Sequence, residues 1–198
     1  MPRFIETIKL LDGQLYNLNY HQLRMDRTVG YFFHCKLDVD LRYHISHFSL
    51  PQQGFFKCRV IYERKILSMR FLPYAIKTIR SLKVVEANEI QYKHKLEDRE
   101  ELTSLFDKRE NCDEVIIVKN NMVTDASYAN LAFKRDDKWF TPITCLLNGT
   151  MRQNLIDQRK IKPKTISIDD IGKFEKVKLI NSMLGFDGEE LDVSKIVF

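Results

Sequence analysis

Three dipeptides that turn a chain back on itself, Asp12-Gly13, Asn120-Asn121 and Asp136-Asp137, each stand between short apolar runs. Gly, Asn and Asp tolerate the positive φ that a tight hairpin demands, so each dipeptide predicts a pair of antiparallel strands. The pairs are Phe4 to Leu11 with Gln14 to Leu18, Val115 to Val118 with Met122 to Val123, and Asn130 to Lys134 with Lys138 to Thr141. A fourth hairpin joins Phe56 to Tyr62 and Ile66 to Leu72 near Glu63-Arg64, after a loop at Pro51-Gln52-Gln53-Gly54.

Helix starts follow the hairpins. Asn19 with Gln22, Asp98 with Glu101, and Thr150 with Gln153 have the spacing of an N-cap and its reciprocal partner. They predict helices from Tyr20 to Tyr31, from Arg99 to Arg109, and from Thr150 to Gln158, the second with an apolar stripe of Leu102, Leu105 and Phe106. The stretch from Tyr31 to His47 reads as partly helical, and Ala75 to Val85 as extended with a helix as the alternative. Helices after antiparallel hairpins in both halves predict an α+β protein of two lobes. The boundary is expected in Glu86-Ala87-Asn88-Glu89, giving an N-terminal α+β lobe over 1–86 and a C-terminal lobe rich in antiparallel sheet over 87–198.

Composition sets the environment. With 198 residues, 44% hydrophobic and 30% charged, the chain has the make-up of an ordinary soluble globular protein. Cys35, Cys58, Cys112 and Cys145 form no CxxC pair, so neither a disulfide framework nor a thiolate metal site is expected, and a reducing, cytoplasmic setting fits best. No secretory signal and no membrane-length apolar run is visible. A net charge of +5 is a mild bias, and the lysines lack an associated aromatic stacking motif, so nucleic acid is not an expected partner. Arg159, Lys160, Lys162 and Lys164, interleaved with Ile161 and Pro163, read as a solvated linker.

Several residues have two readings. Lys95, between a strand end and a helix start in YKHKLEDR, is either a surface lysine or an amine able to form a Schiff base, with Lys93 and His94 supplying cationic crowding. Strand alternation would put Lys93 and Lys95 on one face and His94 on the other. Asp125 in VTDASYAN is a turn aspartate or a buried carboxylate paired with a protonated ring nitrogen, and Asn130 could brace the same loop. Gly149 and Thr150 in LLNGTMRQNLI form a loop-to-helix junction or a phosphate cradle, and Arg24 in HQLR is surface charge or a phosphate clamp.

In order along the chain, FIETIKLLDGQLYNLNYHQLR, KLEDR, DEVIIVKNNMVTDASYANLAF, TPITCLLNGTMRQNLI and KVKLINSML resemble the class IV aminotransferase family, the fold-type IV pyridoxal-phosphate (PLP) enzymes. The resemblance implies the two-lobed fold of that family, with PLP as cofactor and no metal. It implies Lys95 as the PLP lysine, with the register of Asp98 and Arg99 selecting it over Lys93. Arg24, Gly149, Thr150, Ser182 and Asn181 are implied as phosphate contacts, Asp125 as the partner of the pyridine nitrogen, and Asn130 as its brace. Lys93 or Arg152 could receive substrate carboxylates.

Two departures stand out against the family pattern. Asp125 occupies a position where the family has glutamate, and the chain begins at the FETI-like strand, so the fold is expected to be shortened at its N-terminus. The resemblance favours a lyase that releases pyruvate and 4-aminobenzoate from 4-amino-4-deoxychorismate. A branched-chain or D-amino-acid aminotransferase is the runner-up, and a noncatalytic PLP-binding or interaction protein is the reading from a different class. A homodimer is implied, with a small-molecule substrate and no membrane partner.

Overall fold

The computed structural model describes residues 1–37 and 39–198. These divide into two compact units, one of 1–76 and 94–98, the other of 77–93 and 99–198.

The first unit is a four-stranded sheet covered by helix. Strands β1 (Phe4–Leu11), β2 (Gln14–Leu15), β3 (Phe55–Tyr62) and β4 (Ile66–Pro73) lie in the order β2-β1-β3-β4, all antiparallel. Asp12 and Gly13 both take positive φ, as the tight β1–β2 turn requires. Helix α1 (Leu18–Phe33) starts earlier than predicted, because Asn17 in the left-handed region, not Asn19, precedes its first turn. Gln22 has other work: its side chain accepts from Leu41 N and donates to Val39 O. A short helix α2 (Leu41–Ile45) follows, capped by Asp40 accepting from Tyr43 N, so the stretch read as partly helical holds the end of α1 and the whole of α2. Its Asp38 lies outside the described residues.

Alternation along β1 turns Phe4, Glu6, Ile8 and Leu10 toward the helices and Ile5, Thr7, Lys9 and Leu11 to the opposite face. The helix side is the core of this unit, with Phe4, Ile8, Met25, Val29, Cys58, Val60 and Tyr62 closed to solvent. Phe4 is its aromatic hub, with ring centroids 4.8 Å from Phe32 and 5.7 Å from Tyr62.

The second unit holds two sheets. One runs β10-β9-β8-β11-β12, from β8 (Asn130–Arg135), β9 (Lys138–Pro142), β10 (Lys162–Lys164), β11 (Lys176–Ile180) and β12 (Leu191–Asp192). The other runs β13-β5-β6-β7, from β5 (Leu82–Glu86), β6 (Glu114–Lys119), β7 (Met122–Val123) and β13 (Ile196–Val197). Helices α3 (Glu100–Asp107) and α4 (Thr150–Asp157) complete it. Leu82, Ile116, Leu131, Phe133, Ile166 and Val177 centre its largest core.

The predicted hairpins β6–β7 and β8–β9 are present, with Asn120, Asn121, Asp136 and Asp137 all at positive φ. The parallel pairs β5–β6, β5–β13 and β9–β10 were not anticipated. β5, read above as part of the N-terminal lobe, pairs with β6 of the second unit. The stretch read as a linker is instead structured: Ile161 is buried and Lys162–Lys164 form β10 along β9. No helix among the described residues is long and apolar enough to cross a membrane.

Phe4→Ala should remove the aromatic hub and cost about 3 to 5 kcal/mol of unfolding free energy. Urea denaturation followed by circular dichroism measures it.

Candidate functional site

The first unit carries a buried ion cluster between β1 and α1. Glu6 and His21 have no solvent exposure. Arg24 Nε donates to Glu6 Oε1 at 2.8 Å, its Nη2 donates to Oε2, and His21 Nδ1 meets the same Oε2 at 2.6 Å. Helix spacing explains the arrangement, since His21 and Arg24 are three residues apart and share the α1 face toward β1. Burial works to raise the Glu6 pKa, but the Arg24 charge and the hydrogen bonds from His21 and Arg24 hold it down at about 2. Burial pushes the His21 pKa below its ordinary value against the pull of Glu6, leaving a neutral imidazole. Arg24, expected to clamp phosphate, is therefore held by two parallel bonds and keeps 14% of its side chain exposed.

Lys95 lies along β1. Ile5 N donates to Lys95 O at 2.9 Å, Glu97 N donates to Arg3 O at 2.8 Å, and Phe4 bridges Leu96 in antiparallel register. That register sets Lys95 opposite Ile5, and its half-buried side chain contrasts with exposed Lys93. The alternation expected across 93–95 does not form, because the chain bends there and His94 stacks on Tyr31 at 4.8 Å. Lys93 falls in the second unit and Lys95 in the first.

In the second unit, Asp125 sits just past β7, 5% exposed. Asn130 Nδ2 donates to its Oδ1 at 2.7 Å and to Leu147 O at 2.7 Å, while Leu147 N donates to Asp125 Oδ2 at 3.0 Å. Burial outweighs these donors and the nearby Arg152 charge, pushing the Asp125 pKa up to about 6. Such a carboxylate is short of positive charge, and a cationic N–H would stabilise it. Gly149 approaches closely: a Cβ there would lie 2.1 Å from Asn130 Oδ1. Gly149, not Thr150, is the N-cap of α4, Thr150 is its first residue as predicted, and Gln153 N donates to Gly149 O at 2.9 Å.

The remaining expected residues have structural partners of their own. Buried Arg152 spans α4 and β9, donating to Thr141 Oγ1 at 3.2 Å, Asn148 Oδ1 at 2.9 Å and Pro142 O at 2.9 Å, so receiving a carboxylate would mean giving up these bonds. Asn181 Oδ1 accepts from Met183 N at 2.8 Å and Leu184 N at 2.9 Å, fixing the turn after β11 on which buried Ser182 lies.

Two groups escaped the sequence reading. Glu6 read as a polar letter inside a strand, and only its place on the core side of β1, three-residue spacing from His21 to Arg24 included, could have flagged it. Glu114 is buried and accepts from Ser127 N at 3.1 Å and Ser127 Oγ at 2.9 Å, while Arg99 Nη2 donates to Ser127 O at 2.7 Å. These bonds hold the loop between Asp125 and Asn130 at Ser127, against β6 and the start of α3. Burial raises the Glu114 pKa.

Asp125 titrates higher folded than unfolded, so its ionised form opposes folding: its contribution is most favourable below pH 3.8 and declines until pH passes about 6. Asp125→Asn should therefore gain stability relative to the parent protein as pH rises from 4 to 7, measured by urea unfolding of both proteins across that range. Gly149→Ala should cost about 1 to 3 kcal/mol through overpacking, and adding Asn130→Ala should recover part of it, a coupling that a double-mutant cycle reads directly.

The family model of class IV amino-transferases matches residues 3–186. An uncharacterized protein of Haemophilus influenzae is 36% identical over 188 residues, 93% of this chain and 100% of its own. The crystal structure of a candidate 4-amino-4-deoxychorismate lyase from Haemophilus somnus 129PT is 33% identical, covers 94% of this chain and 98% of its own, and superposes with a TM-score of 0.85. The fold alone is shared with an aminotransferase from Brucella abortus bound to PLP, 14% identical over 96% of this chain and 83% of its own, TM-score 0.71. The chain belongs to the class IV aminotransferase family of PLP-dependent enzymes.

Proposed function

We propose that this chain is a PLP-dependent lyase that acts on 4-amino-4-deoxychorismate and releases pyruvate and 4-aminobenzoate. The observation that carries the reading is the 33% identity to the Haemophilus somnus protein over nearly the whole of both chains. The residues present suit the cofactor. Asp125 is a buried carboxylate in want of a cationic partner, Arg24 is a guanidinium held in one orientation, and the Gly149 backbone is uncovered by any side chain of its own.

Bound PLP would supply an aldehyde for amine exchange and a conjugated ring able to accept electron density. Lys95 is assigned the amine that would hold the cofactor and, at the reacting edge, move protons to and from the substrate Cα. Asp125 is assigned the pyridine N–H, with Asn130 and Leu147 N fixing the direction of its carboxylate. Arg24, Gly149, Thr150, Ser182 and Asn181 are assigned the phosphate end, where their role is orientation. Glu6 acts through Arg24, holding the guanidinium against rotation. His21, kept neutral, adds no second positive charge beside it. The family reading carries a homodimer, which light scattering tests.

Borohydride treatment of PLP-loaded protein should fix the cofactor mass on a Lys95 peptide, and Lys95→Ala should abolish pyruvate release from aminodeoxychorismate by more than a hundredfold while leaving the fold intact. Amino-group exchange with amino acids in place of pyruvate release would make the enzyme a transaminase. An adduct on Lys93 would overturn the assignment.

A further inference from the structure

A lysine stands inside the second unit at a place where an apolar side chain would fit. Lys178 is the middle residue of β11 and is only 5% exposed. Register sets it opposite Ala132 of β8, and Trp139 of β9 opposite Lys134, two residues further along β8, so all four share one face of the sheet. The small Ala132 leaves the lysine room to reach toward Trp139. Its Nζ stands 4.5 Å from the ring centroid of Trp139 and 4.5 Å from that of Phe186, and these two rings meet edge to face at 5.6 Å. The same Nζ donates to Phe186 O at 2.9 Å and pairs with Glu190 Oε1 at 3.3 Å. Two aromatic faces, a carbonyl and a carboxylate thus surround one ammonium, and three of the four come from the segment after β11 or its ring.

That cluster closes a turn. Where the chain leaves β11, Asn181 Oδ1 accepts from Met183 N and Leu184 N, and Gly185, at positive φ, donates from its N to Asn181 O at 3.0 Å. Asn181 Nδ2 donates to Tyr128 O at 3.3 Å, which ties the start of the turn to the loop between Asp125 and Asn130. Lys178 fastens the far end through Phe186 O. Phe186 packs on Ala132, Leu155, Ile161 and Ile180, the same small core that Met151 and Ile156 of α4 pack on. Asn181 and Ser182 therefore lie on a turn held at both ends, beside the helix that begins at Thr150. A methionine would fill the space of Lys178 without desolvating a charge, but it could not bond the Phe186 carbonyl.

We propose that Lys178 is a positioning residue for the phosphate end of the cofactor site. It holds the 181–186 turn in one conformation before cofactor arrives, so that Asn181 and Ser182 meet phosphate without a cost of ordering. The inference rests on the PLP reading and extends it to a residue that acts only through the turn.

PLP and pyridoxal, the same aldehyde-bearing ring without phosphate, are the probes, titrated by absorbance in phosphate-free buffer. Lys178→Met should lower PLP affinity about tenfold, the scale of one hydrogen bond from a charged donor, and leave pyridoxal affinity nearly unchanged. Lys178→Arg, which keeps a cation and a donor, should recover most of the PLP affinity. Equal losses for the two probes would make Lys178 a general support of the fold and overturn the inference, as would a Lys178→Met protein that binds PLP like the parent. Hydrogen exchange of the parent apoprotein needs no variant: the Met183, Leu184 and Gly185 amides should be protected before PLP is added, and protection that appears only with PLP would overturn the preformed turn. If the Lys95 adduct forms while Lys178→Met binds PLP like the parent, the positioning role is refuted and the cofactor reading stands. A selective loss of PLP affinity in Lys178→Met without a Lys95 adduct supports the positioning role and refutes the Lys95 assignment.

Discussion

A carboxylate with no access to water organises the first unit. Glu6 would be costly to bury alone, and what makes it tolerable is the pair of parallel bonds from Arg24 and the third from His21. Such a cluster is seldom the most stable way to fill a core, because apolar residues of similar volume avoid the desolvation altogether. What it gives is direction: it fixes a guanidinium at the edge of α1 in one orientation, which packing alone would not do for a long side chain. The strand, the helix and the charged group then form one rigid piece.

The second unit handles its own buried carboxylate differently. Asp125 has neutral donors, one from a side chain and one from backbone, and these leave it above its ordinary pKa. Glu6 is satisfied by charge within the fold, whereas Asp125 is oriented without being neutralised. A group in that condition is suited to a cationic ligand, and the shorter aspartate in place of the family's glutamate still has its direction fixed by Asn130 and Leu147. The Arg99, Ser127 and Glu114 contacts extend the same restraint to the intervening loop.

Much of this was legible in the sequence, and the reasons differ by feature. Hairpins were readable because Asp-Gly, Asn-Asn and Asp-Asp fix a turn within two residues, and all six of those residues take the positive φ that the reading required. Parallel pairings were not, since β5, β6 and β13 are brought together by connections too long to leave a local signature. Helix starts slipped by one or two positions where a capping letter was spent elsewhere, as Gln22 was on the backbone of Val39 and Leu41. The order of Arg24, Lys95, Asp125 and Gly149 along the chain pointed to the family, but the company each keeps was hidden. Nothing in the letters tells that Arg152 would be consumed in bonding α4 to β9, or that Glu6 would stand behind Arg24.

The first unit is discontinuous in the chain, and this bears on how the protein is made. β2 covers only the later half of one edge of β1, and the earlier half is completed by residues 95–97, which arrive after the chain has passed through 77–93 in the other unit. On the ribosome, the opening strand must therefore wait, with part of its backbone unmatched, until the rest of its own sheet, then 77–93 and finally 95–97 have been made. The segment that finally closes that edge is the one bearing Lys95, so the nascent sheet and the placement of its amine are finished in the same act.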